Sequence, residues 1–210
     1  MGLRKKYDNS KTKMVMLFIV ILILASGCAE WKATPNYQTA GSISGITQRK
    51  VFIEKFKSAK VSPESDVNIL SFTIDPQSFL AKDIGNYVSI AIENEAEKTG
   101  IYFPVASSVN ADLQISGAVK MFHYNMKVDE IPMKGEVYAY YYKASFNLQV
   151  NCVVKLKGGG IFEKDYTSTN EHATIYHTLT NWEKPFTEDL NLVIYEIVEE
   201  LFHDIEKKFV

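Results

Sequence analysis

Two cysteines, four histidines and the adjacent acids Glu199-Glu200 are among the side chains of this 210-residue chain suited to attack, metal ligation or proton transfer. His172 and His177 stand five apart, off the i, i+4 spacing that puts two imidazoles on one helix face, and no second cysteine lies near them. His123 has no partner at ligand spacing, and His203, between Phe202 and Asp204 in a helical stretch, reads as solvated. Glu199-Glu200 falls on the same stretch and faces solvent rather than forming an acid/base couple. Lys157-Gly158-Gly159-Gly160 is followed by Ile161-Phe162, not by the Gly-Lys-Ser/Thr of a phosphate loop, so it reads as a hairpin turn, and no G-x-S-x-G occurs. These spacings predict no catalytic residue, no metal site and no cofactor, hence no enzyme. The two thiols differ in setting: Cys152 shares the apolar face of an alternating strand and reads as a small buried hydrophobe, whereas Cys28 ends an apolar run.

That run, Met14 to Leu24, is eleven residues long and follows Arg4, Lys5, Lys6, Lys11 and Lys13, which face the single acid Asp8. A bilayer of roughly 30 Å needs about 20 apolar residues, so the segment is built to export the chain as a signal peptide rather than to span. Ala25, Ser26 and Gly27 then lead into Cys28, and "LASGC" resembles the lipobox of bacterial lipoproteins, with Leu24 one place early and Ala25 in the usual leucine position. That resemblance implies cleavage after Gly27 and acylation of Cys28 by palmitate-class fatty acids. It also implies, from Ala29, sorting to the outer membrane, or to the outer face of the cytoplasmic membrane where no outer membrane exists. Five of the 23 basic and one of the 25 acidic residues precede Cys28; the remaining 18 against 24 carry a formal charge of −6, which argues against a nucleic-acid partner. With Cys28 used for lipid, Cys152 is alone and no disulfide framework is expected.

The elements beyond Cys28 follow from periodicity. Residues 28–49 lack any period and read as a flexible tether, with a root-mean-square span of about 25 Å for twenty residues. Residues 50–210 read as one periplasmic domain. "KVFIEKFK" reads as a strand and "VNILSFTI", 67 to 74, as a second short one. Ile84, Val88, Ala91, Ile92 and Ala96 recur at helical spacing up to the C-cap residue Gly100. In "ADLQISGAVKMFHYN", Leu113, Ile115, Val119 and Met121 face one way; "IFEKDYTST" reads as a polar, edge-like strand. Leu190, Val193, Ile194, Ile197, Val198, Leu201 and Ile205 stripe a terminal helix. The expected fold is a two-layer α+β domain: an antiparallel-rich sheet of about four strands with two helices packed on one face.

Tyr138 to Leu156 forms one alternating strand of nineteen residues, about 60 Å at roughly 3.3 Å each, longer than a compact domain of this size is wide. Either a bulge near Lys143-Ala144 folds it into the body, or its hairpin projects and offers Tyr138, Tyr140 and Tyr142 as a partner-binding surface.

The lipobox-like "LASGC", the strand "VFIEKF", the helix through "NYVSIAIENEAEKTGI", the strand "ADLQISGAV" and the terminal helix together resemble the small envelope lipoproteins of the YajG type and the auxiliary lipoproteins of ABC-type transport systems. The resemblance implies a lipid-anchored, non-enzymatic accessory or scaffold protein of envelope biogenesis that binds another envelope component. A periplasmic carrier of a lipid or apolar ligand is the alternative, and a cell-wall hydrolase the third.

Overall fold

The computed structural model describes residues 48–75, 80, 83–133, 138–178 and 183–209. The signal segment 1–27, Cys28 and the tether up to residue 47 lie outside the described residues. Among those described, the elements are β1 (Arg49–Ile53), β2 (Asp66–Ile69), β3 (Phe72–Ile74), α1 (Ile84–Thr99), β4 (Tyr102–Pro104), β5 (Leu113–Pro132), β6 (Tyr138–Leu156), β7 (Ile161–Tyr176) and α2 (Glu183–Phe209).

β5 is the axis of one mixed sheet. On one side it takes β1, parallel, along its first residues (Val51↔Leu113) and β2, parallel, farther on (Asp66↔Asn125); on the other it pairs antiparallel with β6 over its whole length. β4 lies parallel to β1, reached through the α1 crossover that parallel pairing requires. β3 folds back on β2, and β7 closes the β5–β6–β7 meander. The architecture is α+β as expected, but the sheet has seven strands, not about four. Two of the extra strands are three residues long, too short to show a period. One of these two, β3, arises because 67–74 is not one strand: Leu70 and Ser71, both at positive φ (49° and 75°), turn it into a hairpin.

Both helices bury the predicted stripes. Asp83 caps α1 by accepting the Asn86 N–H, and Gly100 ends it in the left-handed conformation (φ 67°). Ile84, Val88, Ala91, Ile92 and Ala96 of α1 and Leu190, Val193, Ile194, Ile197, Val198, Leu201 and Ile205 of α2 are buried. Cys152 is fully buried among them, and burial, with the Asp165 charge second, pushes its thiol up to about 12, so it acts as a small hydrophobe.

The length problem of β6 resolves in its neighbour. β6 runs unbroken, with no bulge at Lys143-Ala144; the bulge sits in β5 between Val119 and Met121. One extra residue there inverts the alternation, so Phe122, Tyr124, Met126 and Val128 are buried, and Met121, expected on the apolar face, turns to the other side. Gly117 precedes the bulge under the Phe56 ring. A Cβ there would lie 2.5 Å from that ring and 2.1 Å from the Asn151 carbonyl.

Candidate functional site

The three tyrosines that begin β6 share the helix-facing side of the sheet, with Tyr140 opposite Glu130 on β5 and Tyr176 on β7. Their depth differs sharply. Tyr138 is 52 % exposed, Tyr140 is half-buried, and Tyr142 is fully buried. Among the described residues α2 meets this end of the sheet at Tyr142, through Asp189, while Tyr138, four residues farther out, stays exposed. Tyr142 is therefore withdrawn from the surface on which the projecting-hairpin alternative sets all three. Alternation reports the face of a strand but not how far a helix extends over it. Among the described residues, Met133 (47 %), Phe72 (40 %) and Ile175 (56 %) are further large apolar side chains exposed toward this end, the last on the opposite face.

Beneath Tyr142 lies the most concentrated polar cluster. Asp189, on the first part of α2 and only 6 % exposed, accepts the Tyr142 hydroxyl (3.2 Å) and the Asn170 amide (2.9 Å), and both its oxygens lie within hydrogen-bond reach of His172 Nδ1 (3.1 and 3.2 Å). The Tyr142 ring meets His172 and Tyr176 edge-on at 5.8 and 6.4 Å. Burial raises the Asp189 carboxyl above its ordinary value, and the three donors offset only part of that. Burial, reinforced by the Asp189 charge, also holds the Tyr142 hydroxyl well above the phenol range. An Asp-oriented imidazole is the base half of a nucleophilic relay. Among the described residues, however, no serine, threonine or cysteine hydrogen-bonds to His172, so what the cluster does visibly is lock α2 to β6 and β7.

Sequence reasoning passed over this cluster. Spacing along the chain pairs His172 only with His177, whereas His172 lies within β7 and meets Asp189 of α2. The available signal was that Asp189, Val193 and Ile197 share one helical stripe, which places a carboxylate among core positions. The other histidines remain apart: His123 accepts from or donates to Asn125 on the opposite sheet face, and His177 and His203 are exposed. Among the described residues no group of His, Cys, Asp or Glu is arranged to hold a metal.

A similar Tyr–Asp contact recurs about four turns farther along α2. Tyr166 donates to Asp204 (3.2 Å), which Lys164 also reaches at 2.7 Å while contacting Glu200 at 2.7 Å. Here the lysine contact holds the Asp204 carboxyl below its ordinary value. An open depression of about 370 Å³, lined by Arg49, Asp112, Leu113 and Lys157, lies at the pole where β1 begins.

No protein-family model matches the chain, and no curated protein matches it. Solved structures are similar to it at low identity. A DUF330 protein of Xanthomonas campestris is 12 % identical, over 74 % of this chain and 82 % of that one, with a TM-score of 0.45. A hypothetical protein of Chlamydia trachomatis is 9 % identical, over 76 % and 96 %, at 0.40. A minor lipoprotein of Acinetobacter baumannii is 11 % identical, over 75 % and 91 %, at 0.34.

Proposed function

We propose that the chain is a lipid-anchored, non-enzymatic accessory protein of the bacterial envelope, held by Cys28 to the periplasmic face of the outer membrane and binding another envelope protein through the uncovered end of its sheet. The observation that carries this reading is where that end sits. Arg49 lies beside Leu113 and Leu156, whereas Tyr138 and Met133 stand at the far end of β5 and β6, with Phe72 on β3 level with Val128. Nineteen residues of unbroken β6 separate the two poles by about 60 Å. A tether spanning about 25 Å thus favours presenting the aromatic end to something beyond the anchoring membrane. Aromatic rings with a polar tip suit a protein surface. Among the described residues no helix is long and apolar enough to cross a membrane.

An apolar-ligand carrier fits less well, because rings occupy the space between the layers: Tyr124 lies 5.8 Å from Phe146 and 5.4 Å from Phe186, and Phe146 lies 5.3 Å from Phe186.

A photo-crosslinking side chain placed at Tyr138 of the full chain in its own cells tests the reading, with Lys157 at the opposite pole as control. The expected result is capture of a discrete envelope protein from position 138 only, with fatty-acid label lost on Cys28→Ala. Equal capture from both positions, or undiminished label on the variant, would overturn it.

A further inference from the structure

β7 is an edge strand of unusual length. It pairs with β6 through sixteen consecutive residues without a bulge, contains neither proline nor glycine, and among the described residues pairs with nothing else. Strands average about 5 to 6 residues, and exposed edges are commonly shortened, bulged or interrupted because their free N–H and C=O groups template further pairing.

The register identifies those groups. Leu156 N–H donates to the Gly160 carbonyl at the turn, so from Val154–Phe162 onward the even-numbered residues of β7 exchange hydrogen bonds with β6. The N–H and C=O groups of Glu163, Asp165, Thr167, Thr169, Glu171 and their odd-numbered neighbours therefore point away from the sheet.

Acids flank this edge on both faces. Glu163, Asp165 and Glu171 are exposed on the side opposite the helices; Glu196 and Glu200 reach β7 from α2 through Ser168 and Lys164. The strand's single lysine, Lys164, is occupied by Glu200 and Asp204. A second copy is a poor occupant: pairing β7 with itself about Ser168 sets Asp165 against Glu171, and neighbouring two-fold registers still bring the Glu196 and Glu200 rows of two α2 helices side by side. We infer that the outer edge of β7 is a second interaction surface, one that accepts an extended, lysine- or arginine-rich segment of a partner protein as an eighth, hydrogen-bonded strand. This surface goes beyond the aromatic end and does not depend on the lipid anchor.

The full chain in detergent can be titrated with a fluorescent peptide alternating lysine and valine, alongside its glutamate–valine counterpart and a version N-methylated at alternate residues. The lysine peptide should bind, weaken with salt, and slow amide exchange at Glu163, Asp165, Thr167, Thr169 and Glu171. N-methylation, or Thr169→Pro, which removes an outward N–H and no bond to β6, should each weaken binding at least about tenfold by deleting strand hydrogen bonds. Replacing Glu163, Asp165 and Glu171 together by lysine should invert the preference toward the glutamate peptide. Absence of binding, equal binding of the N-methylated peptide, or unchanged exchange at the odd-numbered amides would overturn the inference. The peptide arms decide it even if Thr169→Pro fails to fold.

Discussion

The two ends of α2 meet the sheet through similar contacts that behave in opposite ways. At the first, Tyr142 donates to Asp189; at the second, Tyr166 donates to Asp204, both at 3.2 Å. Asp204 has a lysine at 2.7 Å and is partly exposed, so its charged form is favoured. Asp189 has a histidine and two neutral donors in a nearly closed site, so burial prevails and its charged form is disfavoured. What separates them is the partner within reach, a lysine at one end and a histidine at the other, and the water that remains. The comparison teaches that one local device, a strand tyrosine holding a helix carboxylate, gives a surface clasp at one end and a titratable buried cluster beneath the aromatic surface at the other.

The largest expected effect breaks the first end outright. Tyr142→Ser removes a fully buried ring and should cost about 3 to 5 kcal/mol, whereas Tyr138→Ser, beyond the helix layer, should stay within about 0.5 kcal/mol. Thermal or urea denaturation of the two variants reads this directly, and similar losses would mean that the hairpin end is core.

Smaller changes sharpen the contrast. Tyr142→Phe leaves buried Asp189 short of a donor and should cost about 1 to 3 kcal/mol. Tyr166→Phe should cost about 0.5 to 1 kcal/mol, because Lys164 still serves Asp204. A larger loss from Tyr166→Phe would reverse the assignment of which end is the buried one.

The smallest effect lies in pH dependence. The raised Asp189 contributes stability that is present below the ordinary aspartate value of 3.8 and lost as pH rises through its folded value. The lowered Asp204 contributes stability that is present above 3.8 and lost as pH falls through its folded value. Melting temperatures from about pH 2.5 to 7 should therefore show the parent losing ground to Asp189→Asn as pH rises and losing ground to Asp204→Asn as pH falls. Parallel curves for the two variants would refute the distinction.

Much of this was legible along the chain. Ile84 to Ala96 and Leu190 to Ile205 announced their helices and buried faces, Gly100 its cap, and Cys152 its burial, because each depends on neighbours within a turn or a strand pair. Met121 was misplaced because the bulge before it depends on how β5 pairs with β6, and nothing adjacent to Lys120 announces an extra residue. β4 went unseen because three residues cannot express a period, and β3 was merged with β2 because nothing in Leu70-Ser71 announces a turn.

By itself, then, the sequence determined the class of the longer elements, the buried face of both helices and of β6, and the setting of Cys28 behind a short apolar run, since charge and periodicity are properties of contiguous residues. Only the tertiary structure decided depth and partnership. It placed the start of α2 over Tyr142 but not over Tyr138, brought Asp189 to His172 and Asn170 across helix and strand, and left β7 at the edge. Those outcomes depend on where a helix comes to rest on a sheet, a balance of buried area and hydrogen bonds among distant residues that no local pattern contains.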